Sequence, residues 1–136
     1  MVSDMKRRDK TTEAIQLPTE AELEILNVLW AQGPSTVRDV HNASSKDTGY
    51  TTVLKQMQVM AEKGLVLRNE DQRAHVYEAA RPREWTQRQL AGDMLQRAFN
   101  GSAKSLMIGA LSSRKASKAE LAELRGLLDE YERRLR

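Results

Sequence analysis

The spacing of the apolar residues changes from a helical to a strand period after Gly64 in this 136-residue chain, and that change restricts the fold more than any other feature. From Leu17 to Gly64 apolar residues recur every three or four positions, with breaks at Gly33-Pro34 and in the polar run from Ser44 to Gly49. This spacing predicts three α-helices. The next apolar segments, Leu65 to Arg68 and Ala74 to Glu78, are short and rich in β-branched, aromatic and long apolar residues, which predicts a β-hairpin.

Local signals mark the ends of the three predicted helices. Thr19 and Glu22 have the spacing of a capping box at the start of the first helix, and Ser35 or Thr36 is expected to cap the second. Lys63-Gly64 is expected to close the third. The order helix, helix, helix, strand, strand is that of a winged helix-turn-helix.

The predicted organisation has three parts. Residues 1–12 form a flexible basic arm, residues 13–80 form the winged helix-turn-helix domain, and residues 81–136 contain only further helices. The predicted fold class is therefore mainly α with a small β-hairpin: a winged helix-turn-helix head followed by a helical dimerisation module. The net charge is +3 and the pI about 9.3, which favours an anionic partner only weakly.

Several classes of protein are excluded or disfavoured. There is no cysteine, so neither a disulfide nor a thiolate metal site can form. The amino-terminal residues lack the apolar run of a signal peptide, and no apolar stretch is long enough to span a membrane, so we expect a cytoplasmic protein. The two histidines, His41 and His75, do not have the spacing of paired metal ligands, and no nucleophile or phosphate-binding motif occurs. We therefore predict no enzyme activity, no metal and no cofactor.

The third predicted helix carries an unusual outward face. Thr51, Lys55 and Gln58 share one face at spacings of four and three residues, and Thr52 and Gln56 lie next to it. One interpretation is that the threonines merely cap the helix. The other is that the helix enters the major groove of DNA, where hydroxyls, lysine and glutamine contact base edges and phosphates. The two interpretations are compatible, and the sequence leaves both open.

Basic residues outside this helix have equally open roles. Arg73, at the tip of the predicted hairpin, is either a solvated turn residue or a wing contact to DNA. Arg7, Arg8 and Lys10 of the arm either promote solubility or contact phosphates. Arg38, on the second helix, is expected to be an ordinary surface residue.

The last predicted helix has an apolar stripe. Leu121, Leu124, Leu128, Tyr131 and Leu135 recur at alternating spacings of three and four, as in a coiled-coil seam. The stripe either packs on the preceding helices or pairs with a second copy of the chain, and we favour the second because residues 81–136 are too few to close a core alone. The predicted dimer interface consists of Met94, Phe99, Leu106, Leu121, Leu124, Leu128 and Tyr131.

These segments together resemble the penicillinase repressor family, which includes the methicillin-resistance regulators. The resemblance is carried by TEAELEILNVLW, STVRDV, GYTTVLKQM followed by EKGLV, RAHVYE, and FNGSAKSL followed by ELAELRGLLDE. It runs from about Leu17 to Tyr131 and implies a dimeric transcriptional repressor on a palindromic operator, with the third helix as the recognition helix. The groove-facing residues that it implies are Tyr50, Thr51, Thr52 and Lys55, with Arg73 as the wing contact and the helices after Pro82 as the dimerisation module.

The sequence departs from the family in three places. Relatives under β-lactam control are cut at an Asn-Phe bond, whereas this chain has only the reverse order, Phe99-Asn100, so that mode of induction is not implied. Copper-responsive relatives use cysteines, which this chain lacks. Val59 stands where many relatives have arginine, which removes one expected phosphate contact. The inducing signal and any sensor or protease partner are left open.

The sequence thus supports a homodimeric repressor that binds double-stranded DNA at a palindromic operator. The alternative is a winged-helix protein-interaction module that docks a protein partner without binding DNA. Its best support is the charge of residues 13–80, which hold 6 Lys/Arg against 10 Asp/Glu, whereas residues 81–136 hold 12 against 7. The acidic residues of the first helix can point away from DNA, so we favour DNA binding.

Overall fold

The computed structural model describes residues 16–44, 47–71 and 73–136. Within these residues the chain forms six helices and one three-stranded antiparallel sheet, which confirms the predicted class of mainly α with a small β wing. In chain order the elements are α1 (Glu20–Gln32), β1 (Ser35–Thr36), α2 (Val37–Ala43), α3 (Tyr50–Lys63), β2 (Val66–Asn69), β3 (Val76–Ala79), α4 (Arg83–Ala98), α5 (Ala103–Ser113) and α6 (Lys118–Arg134). The predicted basic arm, residues 1–12, lies outside the described residues.

The chain divides into two compact units, and the boundary falls inside α4, between Leu90 and Ala91. The first unit contains α1 to α3, the sheet and the first turns of α4. The second contains the end of α4, α5 and α6. Among the described residues no helix is both long and apolar enough to cross a membrane.

The core of the first unit is built from the helices and from both strands of the hairpin. Each buried side chain contributes roughly 1.5–3 kcal/mol. The buried apolar residues are Ile25, Leu26 and Leu29 of α1, Val37 and Val40 of α2, Val53, Met57 and Met60 of α3, and Val66 and Tyr77 of the sheet.

The sheet has β3 at its centre, in the order β1-β3-β2. Thr36 lies opposite Val76 in the β1–β3 pair, and Val66 lies opposite Ala79 in the β2–β3 pair. The sequence predicted the hairpin but not β1, because a two-residue strand has no detectable period. Thr36 also caps α2, since its side-chain oxygen accepts a hydrogen bond from the Asp39 backbone N–H at 3.1 Å.

The ends of α3 decide one question that the sequence left open. The N-cap residue is Gly49, which has no side chain to donate or accept a hydrogen bond, and α3 begins at Tyr50. The interpretation that Thr51 or Thr52 caps the helix is therefore wrong, because both lie inside its first turn. Gly64 ends α3 with φ +82°, a left-handed conformation that favours glycine, as predicted.

The structure describes every residue of the second unit, and none of them is buried. Asn100 and Gly101 adopt positive φ at the turn after α4. Ser117 caps α6 by accepting a hydrogen bond from the Glu120 N–H at 3.0 Å. The Glu120 carboxylate pairs with the Arg114 guanidinium at 3.0 Å.

Candidate nucleic-acid interface

The outward face of α3 is polar and free of carboxylates until the last turn. The core residues of α3 occupy one side, so Thr51, Lys55 and Gln58 are left on the opposite side, where all three are exposed. The only carboxylate in the helix is Glu62, near its C-terminal end. An approaching polyanion would therefore meet hydroxyl, amide and ammonium groups along the first three turns.

A groove on one side of α3 is lined by several predicted contact residues. These are Thr51, Thr52, Lys55 and Gln56, together with Glu22 and Val59. Glu22 is buried, and its carboxylate accepts hydrogen bonds from Lys63 Nζ at 2.8 Å and from the Thr19 backbone N–H at 2.9 Å. Burial by itself would raise the pKa of Glu22, but the hydrogen bond from Lys63 and those at Thr19 outweigh it and lower the pKa. The charge of the one acidic group in this groove is thus offset by Lys63.

A cleft on the other side of α3 collects the remaining predicted residues and adds new ones. It lies between α2, α3 and the wing and has a volume of about 400 Å³. Three of the predicted DNA-contacting residues line it: Tyr50, Gln58 and Arg73. Arg38, Arg68 and His75 also line it, although sequence reasoning assigned none of them to DNA.

Three arginines make this cleft basic. Arg68 pairs with Glu70 at 2.6 Å, and hydrogen bonding to Tyr77 together with the charge of Glu70 raises the pKa of the Arg68 guanidinium above its already high ordinary value. Arg38 and Arg73 come from α2 and from the wing loop, 35 positions apart in the chain. No local pattern announces such a cluster, because it forms only when β3 brings the wing beside α2 and α3.

Tyr50 is held at the start of α3 by two side chains of α2. The Arg38 guanidinium carbon lies 5.3 Å from the centroid of the Tyr50 ring. The His41 ring packs edge-on against it, with centroids 5.8 Å apart and an interplanar angle of 86°. His41 Nε2 lies 2.9 Å from the Thr48 carbonyl oxygen, which accepts a hydrogen bond from the ring and so links α2 to the residues just before α3. These contacts hold the first turn of α3 in place where no side-chain cap does.

The predicted dimer residues lie in the second unit and are only partly covered. Phe99, Leu106, Leu121 and Leu124 are half-buried. Met94 is 45% exposed, Leu128 60% and Tyr131 58%. Leu127 and Ile108, which the prediction left out, are 62% and 54% exposed. The second unit therefore presents a broad apolar surface rather than one narrow seam.

A family profile described as penicillinase repressor matches residues 18–130 of this chain. That range includes every predicted DNA-contacting residue and most of the second unit. The chain belongs to the penicillinase repressor family. It is therefore a transcriptional repressor and not an enzyme, as predicted.

Two curated relatives of this repressor are both described as transcriptional regulator BlaI, from the CDC 1551 and H37Rv strains of Mycobacterium tuberculosis. Each is 35% identical over 114 residues, which cover 77% of this chain and 83% of the relative. Two solved structures are more distant. The crystal structure of M. tuberculosis Rv0081 is 20% identical with a TM-score of 0.46, covering 71% of this chain and 93% of that one. The solution structure of apo-NmtR is 22% identical with a TM-score of 0.40, covering 74% and 75%.

Proposed function

We propose that this repressor binds double-stranded DNA at a palindromic operator as a homodimer and blocks transcription by occupying the promoter. The observation that carries the proposal is the outward face of α3, where Thr51, Lys55 and Gln58 are exposed and no carboxylate occurs before Glu62. Side chains of this kind hydrogen-bond to base edges and phosphates in the major groove. A cytoplasmic location is part of the proposal, because the ligand is promoter DNA.

The local charge supports DNA rather than a protein ligand, despite the acidic balance of residues 13–80. Lys55 lies on the outward face, and three arginines line the cleft beside it. The carboxylate of Glu22 is already engaged by Lys63, and Glu70 by Arg68. The wing arginine Arg73 is well placed for a phosphate because it is exposed in the loop between β2 and β3.

Homodimerisation is supported by the apolar surface of the second unit. Leu128 and Tyr131 keep well over half of their surface in contact with water, and each would gain free energy on burial. A two-fold pairing would place two α3 helices on one face of the duplex, with half-sites about 34–36 Å apart or a multiple of that distance. The dimer, the operator and the assignment of contacts are proposed together.

The test starts from genomic fragments retained by the purified protein, followed by titration of a labelled preferred fragment and of random DNA. Lys55→Ala should weaken binding to the preferred fragment. If Lys55 contacts phosphate only, both DNAs should suffer alike and the salt slope should fall by about one unit. If it contacts a base, the loss should be about 1–3 kcal/mol and confined to the preferred fragment.

Lys118→Ala is the matched control, because Lys118 is an exposed lysine at the start of α6 in the second unit. It should leave both affinities unchanged. A protein that retains no DNA fragments, or a Thr52→Ala, Lys55→Ala double variant with unchanged affinity for both DNAs, would contradict the assignment. The first outcome would favour the protein-interaction module.

A further inference from the structure

The first unit contains a second concave site, apart from the outward face of α3. It is a cavity of about 520 Å³ between the start of α1, the end of α3 and the first turns of α4. This volume lies within the range of roughly 300–1,000 Å³ that small-molecule sites occupy. Lys63, Gly64 and Leu65 line it, so an occupant would touch the segment that joins α3 to β2.

The wall of this cavity is mostly apolar. Leu17, Pro18, Leu26 and Leu65 contribute aliphatic surface, and Trp85 contributes an aromatic ring. Such a wall favours a ligand with a flat apolar body, because burying the ligand's apolar area is favourable and rings stack on indole.

Of the two cations that line the cavity, Arg81 has no carboxylate partner among the described residues, whereas Lys63 is already paired. The Arg81 guanidinium carbon lies 4.7 Å from the centroid of the Trp85 ring, and none of the ion pairs among the described residues involves Arg81. Lys63 donates to the buried carboxylate of Glu22 at 2.8 Å. The planar guanidinium of Arg81, which can bind a carboxylate through two parallel hydrogen bonds, is therefore the group left for an anion.

We propose that this cavity binds a small aromatic carboxylate, with its acid group on Arg81 and its ring against Trp85 and the leucines. The proposal goes beyond DNA binding, because it gives the first unit a small-molecule site whose residues do not belong to the outward face of α3. It does not depend on the DNA contacts and is tested by direct binding to the full chain.

The probes are naphthalene-2-carboxylate and the neutral naphthalene-2-carboxamide, which has nearly the same shape. The chain has two tryptophans, so a ¹⁵N spectrum contains two indole N–H signals. Trp85 lines the cavity, and Trp30 Nε1 donates to the Arg81 carbonyl at 2.9 Å, so both report on this region. The carboxylate should shift the Trp85 signal saturably, and the amide should bind about tenfold or more weakly, because a hydrogen bond to a charged group is worth about 1.5–3 kcal/mol.

Arg81→Gln and Arg83→Gln are the matched pair of variants. Arg83 lies two positions away and stacks on Trp30 at 5.6 Å, but it does not line the cavity. Arg81→Gln should weaken the carboxylate about tenfold or more and leave the amide unchanged, whereas Arg83→Gln should change either affinity by no more than about twofold. Arg81→Lys should bind the carboxylate more tightly than Arg81→Gln but more weakly than the parent, because lysine keeps the charge without the two parallel hydrogen bonds of the guanidinium.

Three results would overturn the proposal. The first is the absence of a saturable shift of the Trp85 signal at millimolar carboxylate. The second is equal affinity of the carboxylate and the amide. The third is an equal loss in Arg81→Gln and Arg83→Gln, which would show a general charge effect. The backbone N–H spectrum of each variant is recorded first, so that an unfolded variant is recognised. If Arg81→Gln is unfolded, Arg81→Lys takes its place.

Discussion

Tyr50 provides the sharpest test of how this repressor positions α3, the proposed recognition helix. It is the first residue of α3, follows an N-cap glycine, and contacts Arg38 and His41 of α2 through its ring. The residue is 39% exposed, so part of its surface is available to DNA while the ring contacts α2. Two substitutions separate these two roles: Tyr50→Phe removes only the hydroxyl, and Tyr50→Ala removes the ring as well.

The magnitude follows from the two ring contacts. A cation–π contact at an exposed site is worth about 0.5–1 kcal/mol, and an edge-to-face aromatic pair about 0.5–1.5 kcal/mol. Alanine recovers a few tenths of a kcal/mol through its higher helix propensity. Tyr50→Ala should therefore lower the free energy of unfolding by about 1–2 kcal/mol. Tyr50→Phe keeps both contacts and should change it by less than about 0.5 kcal/mol.

The assay combines urea unfolding with titration of the preferred DNA fragment. If the hydroxyl contacts DNA, Tyr50→Phe should weaken binding by roughly twofold to tenfold, the equivalent of a hydrogen bond worth about 0.5–1.5 kcal/mol. Tyr50→Ala should bind more weakly still, because the start of α3 is no longer fixed. A Tyr50→Ala protein with the parent's unfolding free energy would refute the argument that the α2 contacts hold α3. Full affinity in Tyr50→Phe would leave the ring as a positioning group only.

Three further predictions concern the wing, the dimer and the link between α1 and α3. Arg73→Ala should lower affinity for all DNA sequences by a similar factor, measured by selection from a random pool, because a loop arginine most readily meets the backbone. Leu124→Arg with Leu128→Arg should produce monomers in sedimentation and reduce operator affinity by roughly 10²–10⁴. Glu22→Gln should lower the free energy of unfolding by about 1 kcal/mol at pH 7. The pKa of Glu22 is lower in the folded protein than its ordinary value of 4.5. The difference should therefore be complete above pH 4.5 and disappear as the pH falls through the lowered pKa, because protonation removes the charge that Lys63 stabilises.

Each of these predictions has its own control and its own contrary result. A change in the preferred sequence of Arg73→Ala would show that the wing contacts bases. Ala122→Arg, an exposed position on the opposite face of α6, should remain dimeric, and a Leu124, Leu128 double variant that still sediments as a dimer would remove the seam from the interface. Glu20→Gln, in the exposed first turn of α1, should change the free energy of unfolding at pH 7 by less than about 0.5 kcal/mol.

Features that depend on neighbouring residues were predictable from the sequence. The Thr19–Glu22 capping box and the glycine stop at Gly64 both formed, because each is decided within one helical turn. The interpretation that Thr51 or Thr52 caps α3 was wrong, because α3 begins at Tyr50 and its N-cap residue is Gly49.

Features that depend on distant residues were not predictable. The Glu22–Lys63 ion pair joins residues 41 positions apart, and the hydrogen bond from Trp30 to the Arg81 carbonyl spans 51 positions. The basic cleft and the cavity of the first unit also depend on residues that are distant in the chain. Their residues are unremarkable in sequence and acquire a shared environment only when the sheet and α4 pack on the three helices.

The contrast between the two units supplies the last argument for the dimer. Ten apolar side chains are buried among the described residues of the first unit, whereas no residue from Ala91 to Arg136 is buried. Ordering a residue costs roughly 1–2 kcal/mol of backbone entropy, and three helices with half-exposed leucines have little burial to offset that cost. A second copy, packed on Leu128, Tyr131 and the apolar residues around them, would bury the surface that the single chain leaves in water. Order in the second unit would then require dimerisation. The Leu124→Arg, Leu128→Arg monomer should therefore lose helix content from the second unit, while the first unit still unfolds cooperatively.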